Sequence, residues 1–161
     1  MKKNELRAQV ATAVHACQDK KATDISILQL DSQASGFTDY FVICSGANPR
    51  QIQAIADDVD DRLSAQGLNP THREGYGQAE WVLLDYVDFV VHIFSEQARK
   101  FYDLERLWKT AKRLELNDLE MPARKASAKT SPTRKSGVKA AKRPGAKKSA
   151  AAKGSPSRKR R

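Results

Sequence analysis

No stretch of this 161-residue chain approaches the ~18 consecutive apolar residues of a membrane span, so no membrane partner is expected. Its start, Met1-Lys2-Lys3-Asn4-Glu5, leads into an amphipathic pattern and lacks the continuous apolar core of a secretory signal. The expected compartment is the cytoplasm. Cysteine is scarce. Cys17 and Cys44 lie in no C-x-x-C or C…H spacing, so they read as small apolar core residues rather than a bridge or a metal site. His15, His72 and His92 share no spacing with each other or with cysteine. His92 falls in an apolar strand, where a hydrogen-bonded structural histidine is the usual case. A glycine-rich phosphate loop is also missing. Ser45-Gly46 precedes a helix start, a general place for an anion, but the rest of a P-loop or G-x-G-x-x-G pattern is absent. No cofactor is expected.

Acidic residues are missing from one part of the chain. Residues 122–161 hold 15 Lys or Arg and no Asp or Glu. Of the 29 basic residues, 29 less 15 leaves 14 in residues 1–121, against all 19 acidic residues, a balance of −5. The chain thus divides into an acidic domain, 1–121, and a basic tail, 122–161. The tail is rich in Ala, Lys, Arg, Ser, Pro and Gly, with Val138 its one large apolar residue. It cannot bury enough surface to offset its ordering entropy and is expected to be disordered. Its cations suit polyphosphate backbones through counterion release, and the lack of aromatics excludes base stacking by the tail. The candidate RNA phosphate contacts there are Lys139, Lys142, Arg143, Lys147, Lys148, Arg158, Lys159, Arg160 and Arg161.

The first 121 residues alternate between helical and strand patterns. Leu6, Val10, Val14 and Cys17 form one apolar stripe of a helix over 4–19. Ile25 to Leu30 reads as a strand, and Asp31 to Gly36 as a polar turn. Asp39-Tyr40-Phe41-Val42-Ile43-Cys44 is apolar throughout, which predicts a strand central in its sheet. Asn48 suits an N-cap and Pro49 a first turn, opening a helix to about Gln66 with Ile52, Ile55, Val59 and Leu63 buried and Gly67 as its stop. A short edge strand fits 69–75. Trp81 to Phe94 predicts two strands joined by a tight turn at Asp85 to Asp88, the most apolar stretch of the chain. Ser95 caps a last helix, Glu96 to about Leu116, with Ala98, Phe101, Leu104, Trp108 and Ala111 inward and a break near Tyr102-Asp103. The resulting fold class is α/β, a mixed β-sheet flanked by helices.

Paired carboxylates give no clear chemistry. Asp58 and Asp60 sit two apart on a helix and point to different sides, and Asp85 and Asp88 flank a turn. Trp81 and Tyr86 bracket a strand and a turn, where a large aromatic either covers the core or anchors a partner. The chain reads as a binding protein and not as an enzyme.

Thr38-Asp39-Tyr40-Phe41-Val42-Ile43-Cys44-Ser45-Gly46 and Arg50-Gln51-Ile52-Gln53-Ala54-Ile55-Ala56 carry a resemblance, together with Asp24-Ile25-Ser26. So do Trp81-Val82-Leu83-Leu84-Asp85-Tyr86, Val90-Val91-His92-Ile93-Phe94 and Phe101-Tyr102-Asp103-Leu104-Glu105-Arg106-Leu107-Trp108. In this order they resemble the ribosomal silencing factor family, also called the Iojap family, over about residues 4–116. The resemblance implies a nucleotidyltransferase-like fold without that activity. It implies binding to the large ribosomal subunit, on its protein conventionally numbered fourteen, blockage of subunit joining, and lower translation when nutrients are scarce. It also implies a homodimer when free. The partner-binding residues it carries over are Trp81, Leu83, Asp85 and Tyr86. Val87 stands where the family usually has Gly, and Phe89 where a smaller apolar residue is common. A β-branched residue resists positive φ, so a different turn type is expected here. The tail after 121 lies outside the family pattern. The alternatives are an active nucleotidyltransferase-like enzyme and a general nucleic-acid-binding protein acting through its tail.

Overall fold

Leu6, Val10, Val14 and Cys17 fall on one side of helix α1 (Lys2–Asp19), and all four are buried. The structure, a computed structural model, describes residues 2–121. The basic segment from residue 122, with its nine candidate phosphate contacts from Lys139 to Arg161, lies outside the described residues.

Six strands form one sheet in the order β3-β4-β5-β2-β1-β6. Strand β2 (Tyr40–Gly46) is buried along its whole length. It pairs in parallel with β5 (Phe89–Ser95) and antiparallel with β1 (Thr23–Gln29). That places it inside the sheet, as its unbroken apolar run requires. Strands β4 (Trp81–Asp85) and β5 form the expected hairpin, and the exposed three-residue β3 (His72–Glu74) pairs with β4 at one edge.

Helix α3 (Pro49–Ala65) makes the crossover that a parallel β2–β5 pair needs. Asn48 accepts a hydrogen bond from the Gln51 backbone N–H at 2.9 Å, and Pro49 occupies the first turn. Ile52, Ile55, Val59 and Leu63 are buried, and Gly67 follows at φ +80°, a left-handed stop that glycine adopts without strain.

Two local expectations change. Asp31 to Gly36 is not only a turn, because Ser32–Ser35 completes one helical turn, α2. The predicted helix over 96–116 is three pieces. Helix α4 (Glu96–Tyr102) starts at Ser95, whose hydroxyl accepts from the Ala98 N–H, and stops at Asp103, φ +43°. A single turn, α5 (Leu104–Leu107), follows. The chain then forms β6 (Lys112–Leu114) along the free side of β1, and α6 (Leu116–Glu120) packs on α1. The pairing partner of β6 lies some eighty residues earlier in the chain, so local periodicity carries no sign of it. His15 Nε2 meets the Glu120 carboxylate at 2.6 Å where α6 joins α1.

The main core lies between one sheet face and α1, α3 and α6. The opposite face presents Leu28, Phe41, Ile43, Val90 and Phe94, with only Ala98, Leu104, Trp108 and Ala111 from the α4–β6 segment laid against it.

Candidate functional site

The second sheet face is the less covered one. Strand β4 alternates: Val82 and Leu84 are buried toward the main core, and Trp81, Leu83 and Asp85 are half-buried on the other side. The antiparallel register sets Trp81 beside Phe94, Leu83 beside His92 and Asp85 beside Val90. The structure therefore gathers three of the four expected partner-binding residues on one face.

Tyr86 is not among them. It continues the even-numbered side of β4, is 3% exposed, and stacks on Phe89 with ring centroids 4.9 Å apart. Burial pushes its phenol well above the usual tyrosine range, with Asp60 adding to the rise, and its hydroxyl has no partner among the described residues. Tyr86 is a core residue, and its expected role as an exposed anchor is corrected accordingly. The signal was present in the sequence: residues 82, 84 and 86 share a parity, and 81, 83 and 85 share the other.

Trp81 is held on three sides. Its ring stacks on Phe94 at 5.1 Å and lies 4.5 Å from Tyr102. Its indole N–H donates to His92 Nδ1 at 3.1 Å. That bond requires an unprotonated Nδ1, so the neutral His92 carries its proton on Nε2. Nε2 has no partner among the described residues, and the His92 ring meets Phe41 edge to face at 4.8 Å. Burial lowers the His92 pKa to about 4, against a smaller opposing pull from Asp85. His92 is the hydrogen-bonded structural histidine expected, and its bond fixes the indole of Trp81.

The turn keeps the positive φ that the branched side chain of Val87 is expected to resist, so the expected change away from positive φ does not occur. Val87 adopts φ +72° despite its branched Cβ. Its N–H donates to Asp85 Oδ1 at 2.8 Å, the Asp88 N–H to the Tyr86 carbonyl at 2.9 Å, and the Tyr86 N–H to the Phe89 carbonyl at 3.0 Å. Gly75 supports the start of β4. It has φ +77°, and a Cβ there would stand 1.9 Å from the Trp81 carbonyl oxygen.

Sequence reasoning missed the rim of this face. Phe101, expected inward, is 81% exposed, Leu107 is 72% exposed, and Tyr102 is also exposed beside Trp81. The face thus combines half-buried anchors with exposed apolar groups, a composition typical of a partner surface.

Other candidate chemistry is accounted for locally. Arg73 bridges Asp57 and Asp60 at 2.6 and 2.9 Å, while Asp58 pairs with Arg62 at 3.0 Å. Asp58 and Asp60 therefore point apart. Beside Ser45-Gly46, Arg99 donates to the Ser45 hydroxyl at 2.9 Å, the Asp24 carbonyl at 2.7 Å and Glu105 at 2.7 Å. Burial would raise the Glu105 pKa, but hydrogen bonds from Arg99 and Ser26 outweigh it and hold the carboxylate low. Cys17 and Cys44 are buried, free thiols 3.8 Å apart, and their mutual hydrogen bond together with burial pushes the Cys44 thiol up. Among the described residues no three His, Cys, Asp or Glu side chains converge as a metal-ligand set, and no helix is long and apolar enough to cross a membrane.

Comparison with known proteins agrees with this architecture. Residues 3–142 match the family described as "Ribosomal silencing factor during starvation", so the match runs past 121 into the segment expected to lie outside the family pattern. The ribosomal silencing factor RsfS of Bacillus subtilis is 43% identical over 96 residues, 60% of this chain and 80% of that protein. A mouse protein named "Mitochondrial assembly of ribosomal large subunit protein 1" is 29% identical over 98 residues, 59% of this chain and 42% of its own. A crystal structure from Chromobacterium violaceum has a TM-score of 0.61 at 32% identity, covering 63% of this chain and 84% of that one. With the family match spanning most of its length, the chain belongs to the ribosomal silencing factor family.

Proposed function

We propose that the face built around Trp81, Leu83 and Asp85 docks on the large ribosomal subunit, on its protein conventionally numbered fourteen. The bound domain fills space that the small subunit needs, so joining is blocked and translation falls, under nutrient limitation in particular. The role is steric and involves no turnover. In this proposal the chain acts in the cytoplasm and is a homodimer away from the ribosome.

The observation that carries the reading is Trp81. A half-buried indole, locked by His92 and stacked on Phe94, with exposed Phe101 and Tyr102 alongside, has the form of a preorganised anchor. The turn carboxylates Asp85 and Asp88 flank this face with a charge that suits a basic ribosomal protein and speeds encounter. The mouse relative's name refers to the large subunit. The tail adds a second contact, to ribosomal RNA phosphates, which raises the effective concentration of the first.

Co-sedimentation with purified large subunits tests the docking, and addition of small subunits tests the block. Trp81→Ala is expected to lose roughly 2 kcal/mol or more, about 30-fold in Kd, and with it the block on joining. Wild-type affinity in that variant would sink the proposal. Removing residues 122–161 should flatten the salt dependence of binding, and an unchanged slope would remove the tail from it.

A further inference from the structure

A groove of about 740 Å³ opens where the N-terminal end of α1, the end of β1, the start of β2 and the approach to β6 meet. Lys3 and Arg7 stand one turn apart on α1 and so share a side, and Lys112 faces them from β6, opposite Gln29. Trp108 lines the same groove. It is half-buried and meets Phe41 edge to face at 5.6 Å, which leaves part of the indole to the opening.

The cations of the described domain fall into two groups, those held by carboxylates and those, Lys20, Lys21 and Arg50 among them, that are not. Arg62, Arg73 and Arg99 each hold carboxylates. Among the described residues, Lys3, Arg7 and Lys112 have no carboxylate within ion-pair distance. Asp31 and Asp39 also line the groove, so three cations face two carboxylates, with Lys109 following Trp108 in sequence. Asp31 accepts a hydrogen bond from the Gln33 N–H. Unpaired cations around an accessible aromatic, in a space of ligand size, form the combination that binds single-stranded nucleic acid: charge for the phosphates and a π-face for a base.

We propose that this groove takes an unpaired nucleotide of an RNA strand, with phosphates on Lys3, Arg7 and Lys112 and the base against Trp108. The choice of RNA rests on the ribosomal reading above. The groove would give the folded domain an RNA contact of its own, separate from the tail and from Trp81.

The test uses the full chain and a short fluorescent oligouridylate, with affinity followed across a salt series. Three proteins are compared: wild type, Lys3→Gln/Arg7→Gln/Lys112→Gln, and a control, Lys20→Gln/Lys21→Gln/Arg50→Gln. The control makes the same change in net charge beyond the other end of α1 and at the start of α3. Loss of three phosphate contacts flattens the slope of log K against log salt by roughly 2, at about 0.7 per contact. The groove variant is expected to show this and the control far less. Photocrosslinking of the wild type to the same RNA should yield a peptide containing Trp108. Equal slopes in the two variants, crosslinks confined to residues beyond 121, or equal affinity for uridine monophosphate would each overturn the proposal. No ribosome is present, so Trp81→Ala must keep the wild-type slope here. A chain that passes this test yet fails to sediment with large subunits refutes the docking reading and leaves the groove standing.

Discussion

Val87→Gly should make the domain more stable. Val87 sits at φ +72°, between the Tyr86 carbonyl and the Asp88 N–H that are hydrogen-bonded across it at 2.9 Å. This is a γ-turn of the rare positive-φ kind. A left-handed conformation costs an L-residue about 1–2 kcal/mol, and strained positions of this sort about 1–3 kcal/mol. A branched Cβ puts valine toward the upper part of that range, so about 2 kcal/mol is a fair figure for the strain. Two terms oppose the gain. Glycine frees the unfolded chain, worth about 0.5–1 kcal/mol. The side chain is 57% exposed, so its removal loses only a fraction of the ~2 kcal/mol of a fully buried valine. The net expectation is a gain of roughly 0.1–0.6 kcal/mol, or up to about 3 °C in Tm for a domain of this size. The Val87 N–H that donates to Asp85 is kept. Urea unfolding followed by tryptophan fluorescence reads the change. Val87→Asn, which tolerates positive φ, should fall between wild type and glycine. Val87→Pro, which fixes φ near −65° and removes the donated N–H, should be the least stable. If Val87→Gly has a lower urea midpoint with an unchanged m-value, the strain assigned to this turn is not there.

His92 gives the domain a pH dependence of known sign. Its pKa is about 4 in the fold and about 6.5 in an unfolded chain, so between those values the unfolded state binds the extra proton. The stability due to its neutral form is complete above pH 6.5 and is lost as pH falls toward 4, a change of roughly 3 kcal/mol. His92→Asn keeps an acceptor for Trp81 and does not titrate, so its stability profile should be flatter across that window. Equal profiles would show that His92 titrates alike in the folded and unfolded states, so that burial does not hold it neutral. Gly75→Ala should cost roughly 2–4 kcal/mol, since the new methyl would meet the Trp81 carbonyl at 1.9 Å in a left-handed backbone. Gly67→Ala, also at positive φ but with no atom near its Cβ, should cost only about 1 kcal/mol. Equal urea midpoints for the two alanine variants would refute the steric account of Gly75.

The parts of this fold that sequence makes legible are those whose physics is local. The Asn48 cap, the Ser95 cap, the α1 and α3 stripes, and the unbroken apolar run of β2 each depend on neighbours within a turn or a strand. The parts that are not legible depend on distant partners. Lys112-Arg113-Leu114 has helical neighbours in its spacing and becomes a strand because β1 offers it an open edge. Phe101 and Leu107 each sit three residues after a covered residue, Ala98 and Leu104, in two short helices, and their spacing alone carries no sign that the sheet covers only the earlier one of each pair. In the candidate site, Trp81, Leu83 and Asp85 come from one strand, and the family resemblance groups them with Tyr86, whose parity places it on the other side. The contribution of His92 is visible only through the register that brings two strands together, since Trp81 and His92 are diagonal neighbours across it. Tyr86 shows the reverse case, where parity along β4 outweighs the usual exposure of turn residues.

The two ends of the sheet share a property that bears on how the protein survives in a crowded solution. One edge is β3, three residues long and read as His72-Arg73-Glu74; the other is β6, also three residues, beginning Lys112-Arg113. Short, charged outer strands offer little backbone for another sheet to extend, and they carry a desolvation penalty against doing so. Just inside β6 lies β1, seven residues long and holding Ile25, Ile27 and Leu28. A nascent or clipped chain that stops before Lys112 would present that strand as a template for self-association. The last described strand therefore acts as a guard against aggregation, and the domain is safest only once the chain has been made through α6.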